Sequence, residues 1–214
     1  MIIGLAGEKR SGKSTLANML KRKYRFKVMA FAEPLKVALS ETFNIPLDDF
    51  ETDVKEEKFE PKMITEADLA NFLDYISDNY LQIDAGLASG VSHQFKGIQY
   101  SSIRELMQIM GTEVVRDNVS ESYWIDYALK RVKSSQTDIV FSDARFPNER
   151  ALIKQLHGYT VKIKRPIQST ETHRSETLMG DDNEYDMVIL NDDSKSRLEF
   201  EFDIWYGFKQ RSRR

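Results

Sequence analysis

The chain has 214 residues, of which 41% are hydrophobic and 30% are charged, and its formal net charge is −3. These values are close to globular averages, so they exclude the disordered and fibrous classes, and the acidic balance argues against stable nucleic-acid binding. The chain has no cysteine, which excludes disulfides, thiolate zinc sites and a cysteine nucleophile and fits a cytoplasmic protein.

The first part of the chain predicts a strand–helix–strand unit followed by another helix. Leu16, Met19 and Leu20 share one helical face directly after a Gly-rich turn. The predicted elements are strands from Met1 to Ala6 and from Phe26 to Phe31, and helices from Lys13 to Lys23 and from Pro34 to Phe43.

The middle of the chain forms an insert at about residues 48–100. Its first stretch, from Asp48 to Lys62, is acidic and interrupted by proline, which predicts a surface loop. A helix is predicted from Glu66 to Asn79, and the stretch from Ile83 to Gly97 is rich in glycine and serine.

The second half of the chain alternates helices with apolar strands. Helices are predicted from Ser101 to Arg116, Glu121 to Lys133, Pro147 to Leu156 and Ser194 to Lys209, and strands from Thr137 to Ser142, Thr160 to Lys164 and Met187 to Leu190. This alternation predicts a single α/β domain, residues 1–214, with three layers and a mainly parallel sheet. Its ligands are expected beyond the carboxyl ends of the strands. No stretch approaches membrane-spanning length, so we expect no membrane partner.

Residues Gly7 to Ser14 satisfy the phosphate-loop pattern G-x-x-x-x-G-K-[ST]. The pattern follows a predicted strand and opens a predicted helix, where unpaired backbone N–H groups favour an anion. Lys13 can reach the β- and γ-phosphates, and the Ser14 hydroxyl can ligate Mg²⁺. The predicted nucleotide-binding residues are Gly7, Lys9, Ser11, Gly12, Lys13, Ser14 and Thr15. A P-loop NTPase fold therefore follows from the pattern.

Asp143 ends a predicted strand, which is the position from which a second carboxylate reaches the Mg²⁺ shell in phosphate-loop proteins. A helix cap explains Asp143 equally well. Arg145 and Glu149, nearby in sequence, belong either to the site or to the surface. A guanine-reading N-K-x-D tetrapeptide is absent, which weakens a GTPase assignment and favours a kinase.

Several segments, taken in order, resemble the phage deoxynucleoside monophosphate kinases over most of the chain. They are the loop itself with Lys9 to Lys13; Phe31 to Lys36; Arg104, Gln108, Gly111 to Glu113 and Arg116 on one helix, with Trp124 after it; Asp143 to Glu149; and Arg165-Pro166 with His173 to Glu176. The resemblance implies phosphoryl transfer from ATP to a deoxynucleoside 5′-monophosphate with Mg²⁺. It also implies host cytoplasm as the location if the chain is of phage origin.

The resemblance assigns roles to residues outside the loop. The candidate catalytic cations are Lys13, Arg10, Arg145 and Arg174, the last in a polar segment at about residues 165–182 that we expect to be a lid. The candidate acceptor-binding residues are Glu33, Lys36, Arg104, Gln108, Glu113, Arg116 and Trp124, with the insert on the same acceptor side. Surface charge pairs or helix capping would also explain Glu33, Arg104 and Arg116. Asn191 to Asp193 either borders the adenine or caps the closing helix.

Two other functions compete with this one. A phosphate-loop kinase can act on another small phosphate-bearing acceptor, such as phosphomevalonate, and a nucleotide-binding module can lack turnover. We expect nucleotides as partners, and a homodimer is compatible with the sequence. The sequence does not give the preferred base, because the insert resembles no segment that can be aligned.

Overall fold

The computed structural model describes residues 1–166 and 179–211, so the candidate residue Arg174 and most of the predicted lid lie outside the described residues. The chain divides into two compact units. The first consists of Met1–Phe31 and Val132–Arg214, and the second of Ala32–Arg131. The second unit contains the whole predicted insert at about residues 48–100.

The described elements alternate between strands and helices. The strands are β1 (Ile2–Ala6), β2 (Lys27–Met29), β3 (Lys62–Met63), β4 (Gln99–Tyr100), β5 (Ile139–Phe141), β6 (Tyr159–Lys164) and β7 (Met187–Leu190). The helices are α1 (Lys13–Tyr24), α2 (Glu33–Phe43), α3 (Glu66–Asn79), α4 (Ala85–Phe95), α5 (Ile103–Gln108), α6 (Tyr123–Lys133), α7 (Pro147–Gln155) and α8 (Lys195–Arg211). A π-helix (Ile109–Arg116) and short 3-10 helices (Leu47–Phe50, Asp53–Glu56, Asp182–Glu184) complete them.

The first unit contains a five-stranded sheet in the order β2-β5-β1-β6-β7, and every pair in it is parallel. This arrangement confirms the predicted mainly parallel α/β fold. All three residues of β5 are buried, which explains their continuous apolar sequence. Because β1 is the central strand, the loop that follows it lies at the middle of the carboxyl edge of the sheet.

The two faces of this sheet are covered in different ways. On one face, residues of β1 and β6 pack with α1 and α8 around Leu16, Leu20 and Phe202, all fully buried. On the other face α7 approaches so closely that a Cβ on Gly4 would lie 2.2 Å from Ile153 Cδ1. A side chain at position 4 would therefore displace α7.

The second unit is mainly helical and has its own apolar core around α2, α3 and the α5 segment. Two of its stretches differ from the sequence-based prediction. The expected surface loop from Asp48 to Lys62 folds into 3-10 turns that bury Phe50 completely. The Gly- and Ser-rich stretch forms helix α4, whose first turn is capped by the Asp84 carboxylate, which accepts the Leu87 N–H at 2.9 Å.

The helix predicted from Ser101 to Arg116 changes type after Gln108, where an eight-residue π-helix begins. Close packing accompanies the change, since a Cβ on Gly111 would lie 2.4 Å from Leu35 Cδ2 in α2. The Trp124 indole Nε1 donates to the Gly111 carbonyl at 3.0 Å. A π-helix shifts the angular spacing of side chains. Ordinary α-helical spacing therefore relates only Arg104 and Gln108, which are four residues apart.

Within the described residues, no helix combines the length and the apolar character needed to cross a lipid bilayer.

A buried tyrosine provides a test of the second unit's packing. The Tyr123 hydroxyl donates to the Ile76 carbonyl at 2.7 Å and accepts the Leu81 N–H at 3.3 Å, and burial raises its pKa to about 12. We predict that Tyr123→Phe lowers the free energy of unfolding in urea by about 1 kcal/mol, because the buried hydrogen bonds of the hydroxyl to the backbone are lost.

Tyr127→Phe is the matched control, because within the described residues the Tyr127 side chain makes ring contacts but no hydrogen bond. We expect this variant to stay within about 0.5 kcal/mol of the parent. Equal stability of the two variants would contradict the role given to the Tyr123 hydroxyl.

Candidate active site

The turn between β1 and α1 is built by residues with unusual backbone conformations. Gly7 and Gly12 have φ values of 142° and 114°, and Arg10 is left-handed with a φ of 61°. A Cβ on Gly7 would lie 2.3 Å from the Ile163 carbonyl oxygen. Both glycines are therefore required by conformation, and Gly7 also by space.

Lys13 opens α1 and points its side chain back over the turn. Its Nζ donates to the Gly7 carbonyl at 2.7 Å and to the Glu8 carbonyl at 2.6 Å. These bonds fix the ammonium group above the loop instead of leaving it to move on a flexible stem.

The amino end of α1 is also prepared for an anion. Gly12 precedes it without a side-chain cap, and its first turn contains no acidic residue. The first N–H groups of a helix have no partner within the helix, and the helix dipole gives them partial positive charge. An anion such as a phosphate can satisfy them.

A cavity of about 300 Å³ opens at this turn. The cavity is lined by the loop and by the segments that follow β6 and β7, the two strands on one side of β1 in the sheet. It contains four cations and a single carboxylate, so it favours a polyanion. The lining residues are Arg10, Ser11, Gly12, Lys13, Ser14, Thr15, Arg165, Asn191, Asp193, Lys195 and Leu198.

The two candidate metal ligands have different surroundings. The Ser14 side chain is exposed, lines the cavity and makes no hydrogen bond within the described residues. Asp143 follows β5, the neighbour of β1 in the sheet, and is not among the cavity residues. Its Oδ1 accepts the Phe31 N–H at 2.8 Å, which joins the ends of β2 and β5. No group of three or more potential metal-ligating side chains occurs in the described part of the chain.

The segment after Asp143 is held by two buried charged residues. Glu149, only 2% exposed, accepts the N–H groups of Arg145 at 2.8 Å and Phe146 at 3.0 Å, which excludes the surface alternative for Glu149. Arg150, 4% exposed, donates to the Arg145 carbonyl at 2.9 Å and pairs with Glu184 at 2.8 Å. Arg150 escaped the sequence analysis, because its partner lies 34 residues away.

The candidate acceptor residues all belong to the second unit, and several of them are paired within it. Glu33 accepts a hydrogen bond from Arg131 at 2.7 Å, and the Lys36 ammonium pairs with Glu51 at 2.6 Å. Gln108 is half-buried on α5.

The remaining acceptor candidates differ strongly in exposure. Glu113 is exposed, whereas Arg116 and Trp124 are 8% and 3% exposed. The Trp124 indole is engaged by the π-helix, which is a structural contact.

A cation missed by the sequence analysis stands near Lys36 and Arg104. Burial lowers the pKa of Lys55, and the positive charges of Lys36 and Arg104 lower it further. Its Nζ donates to the Phe50 carbonyl at 3.0 Å. Lys55 lies in the stretch expected to be an exposed loop, so no sequence signal pointed to it.

Comparisons with known proteins identify the family of the chain. The family model described as deoxynucleotide monophosphate kinase matches residues 1–70 and 71–201. A putative deoxynucleotide monophosphate kinase of Acanthamoeba polyphaga mimivirus is 29% identical over 204 residues, covering 89% of this chain and 88% of that protein.

Two phage proteins, each named deoxynucleotide monophosphate kinase, are similar over comparable lengths. The protein of Escherichia phage RB69 is 27% identical, covering 92% of this chain and 96% of its own. The protein of Enterobacteria phage T4 is also 27% identical, and the match covers 92% of this chain and 95% of the phage protein. A solved structure of an APS kinase mutant of Mycobacterium tuberculosis covers 94% of this chain and 92% of its own at 13% identity, but its TM-score of 0.32 is too low to bear on fold or function.

The family match extends from the phosphate loop through the second unit to the closing helix, and this chain belongs to the deoxynucleotide monophosphate kinase family.

Proposed function

We propose that this chain transfers the terminal phosphoryl group of ATP to a deoxynucleoside 5′-monophosphate, giving ADP and the deoxynucleoside diphosphate. The observation that carries the proposal is the phosphate loop with its fixed Lys13 ammonium at a cationic cavity, in a chain whose family match covers nearly its whole length. The family match does not favour a phosphomevalonate-like acceptor or a module without turnover.

The chemistry needs positioning and charge neutralisation more than an enzymic base. An oxygen of the acceptor phosphate attacks the γ-phosphorus, and the bond from that phosphorus to the β,γ-bridging oxygen breaks, so that ADP leaves. The acceptor phosphate is already an anionic nucleophile, and we assign no general base. Lys13 and the N–H groups at the start of α1 would stabilise the charge on the transferring group.

Other cations would assist at the donor phosphates. Arg10 and Arg165 line the cavity, and the Arg165 guanidinium donates to the Arg10 carbonyl at 3.1 Å, which holds the two segments together. Arg145 stays a candidate on the strength of its fixed backbone, and Arg174 rests on the family resemblance alone.

Mg²⁺ is proposed as the accompanying metal ion. The exposed Ser14 hydroxyl fits this role, and Asp143, at the end of the neighbouring strand β5, is the candidate second ligand. When bound, the ion would neutralise charge on the β- and γ-phosphates.

The acceptor is proposed to bind to the second unit. Lys55 lies near the positive charges of Lys36 and Arg104 and near the carboxylates of Glu51 and Glu56, and the three cations suit a phosphate. Glu33, Gln108 and Glu113 stay candidates for sugar or base contacts, and Arg116 and Trp124 would act from buried positions.

The partners are nucleotides, and relatives from phages and a giant virus support the cytoplasm of an infected host as the location. A homodimer stays a prediction.

An acceptor panel tests this function. With Mg-ATP, we predict that at least one deoxynucleoside monophosphate supports ADP formation and appears as its diphosphate, whereas phosphomevalonate does not. The panel includes dNMPs with modified pyrimidines, since the preferred base is unknown. ADP formation with phosphomevalonate and with no dNMP would overturn the proposal.

A variant of the loop is the control for this assay. Lys13→Ala should lower the turnover by about 100- to 1,000-fold, because a fixed charge at the transferring group is lost. Lys21→Ala removes an exposed ammonium from the same helix and should keep normal turnover. Equal activity of the two variants would remove Lys13 from the mechanism.

Arg104→Ala tests the acceptor side. We predict that the KM for the dNMP rises about tenfold to a hundredfold, because a charge-assisted hydrogen bond to its phosphate is lost, while the KM for ATP stays nearly constant. Lys58→Ala is the matched control, since Lys58 is an exposed cation near the same helix that contacts Ser101 at 3.0 Å. A large loss of ATP binding in Arg104→Ala would assign Arg104 to the donor instead.

A further inference from the structure

Asn191, directly after β7, is joined to the phosphate loop by its side chain. Its backbone N–H donates to the Lys164 carbonyl at 2.7 Å, which extends the β6–β7 ladder by one residue. Its side-chain Nδ2 donates to the Ser11 carbonyl, also at 2.7 Å. The sheet therefore fixes the residue that contacts the loop.

The bond from Asn191 determines the orientation of one peptide of the loop. The peptide between Ser11 and Gly12 is trans, so its C=O and N–H point in opposite directions. Because the carbonyl is directed at Asn191, the Gly12 N–H is directed away from it. Among the described residues no group accepts this N–H, and Gly12 lines the cationic cavity.

Asn191 also packs directly on Gly12. A Cβ at position 12 would lie 2.7 Å from Asn191 Nδ2 and 2.9 Å from Leu198 Cδ2. Leu198 is 3% exposed and belongs to the core of the first unit, so its side chain has no room to move away from position 12. The peptide is thus held by a hydrogen bond on its carbonyl and by contact on its Cα.

Capping of the closing helix does not explain Asn191. Helix α8 begins at Lys195, and the Ser194 hydroxyl accepts the Arg197 N–H at 3.3 Å. The cap is therefore Ser194, which excludes the capping alternative for the stretch from Asn191 to Asp193. The Asn191 carboxamide is directed at the phosphate loop instead.

We propose that Asn191 is a positioning residue for nucleotide binding, whose carboxamide orients the Ser11–Gly12 peptide so that the Gly12 N–H donates to an oxygen of the donor's polyphosphate chain. The proposal rests on the proposed function in one respect, that the loop binds the phosphates of ATP. Asn191 acts through the peptide and needs no contact of its own with the nucleotide.

The test measures binding in the absence of any acceptor. Calorimetric titrations with ATP, ADP and inorganic triphosphate would compare the parent with Asn191→Ala and Asn191→Asp. We expect about tenfold weaker binding for Asn191→Ala, corresponding to one lost oriented donor. The loss should be larger for Asn191→Asp, because its carboxylate repels both the Ser11 carbonyl and the phosphates.

Asn18→Ala is the matched control, since Asn18 is an exposed asparagine on α1, lies outside the cavity and has no side-chain hydrogen bond within the described part of the chain. It should bind all three ligands like the parent. In kinetics, the Asn191 variants should raise the KM for ATP while leaving the KM for the dNMP unchanged, a separation that general destabilisation would not produce.

Binding within twofold of the parent in both Asn191 variants would overturn the proposal, as would equal increases of both KM values. If Asn191→Ala does not fold, the nearly isosteric Asn191→Asp decides. Parent protein that binds triphosphate through Lys13 but phosphorylates no dNMP would contradict the proposed function and leave the Asn191 result valid. Absence of triphosphate binding in the parent would contradict both.

Discussion

The structure depends on one constraint, which is that the turn after β1 keeps the Gly12 N–H available to an anion while the carbonyls of the turn are bound by other groups. Lys13 binds the carbonyls of Gly7 and Glu8, Arg165 binds that of Arg10, and Asn191 binds that of Ser11. Each bound carbonyl fixes the N–H of the same planar peptide unit, which belongs to the next residue. Preorganisation of this kind stabilises developing charge without reorganisation during the reaction.

The sheet supplies the partners that this turn needs. Because β1 is central and parallel to β6, with β7 beyond it, the segments after these strands emerge at the same edge. Arg165 lies 155 residues from Arg10 along the chain, and Asn191 lies 180 residues from Ser11. The strand order explains why such distant residues meet at the loop. The neighbour on the other side, β5, contributes Asp143 and the segment that Glu149 and Arg150 hold.

Local sequence signals were sufficient for the loop and the sheet, because the phosphate-loop pattern and the apolar strands are encoded by adjacent residues. They failed where distant contacts decide the structure. Helix α4 was not predicted, because its glycines and serines obscure the spacing of its apolar residues. Two of these, Val91 and Phe95, are buried in the core. The π-helix depends on the fit of Gly111 against Leu35. Lys55 and Arg150 escaped because their significance lies in partners that the sequence does not identify.

The most direct test of the account is the amide resonance of Gly12 in an NMR titration with Mg-ATP. The account predicts that this N–H moves strongly downfield on binding, because it becomes a donor to a phosphate oxygen, and that the Gly97 amide in the second unit does not move. A Gly12 resonance that stays in place while ATP binds would contradict the claim that this turn holds the donor phosphates.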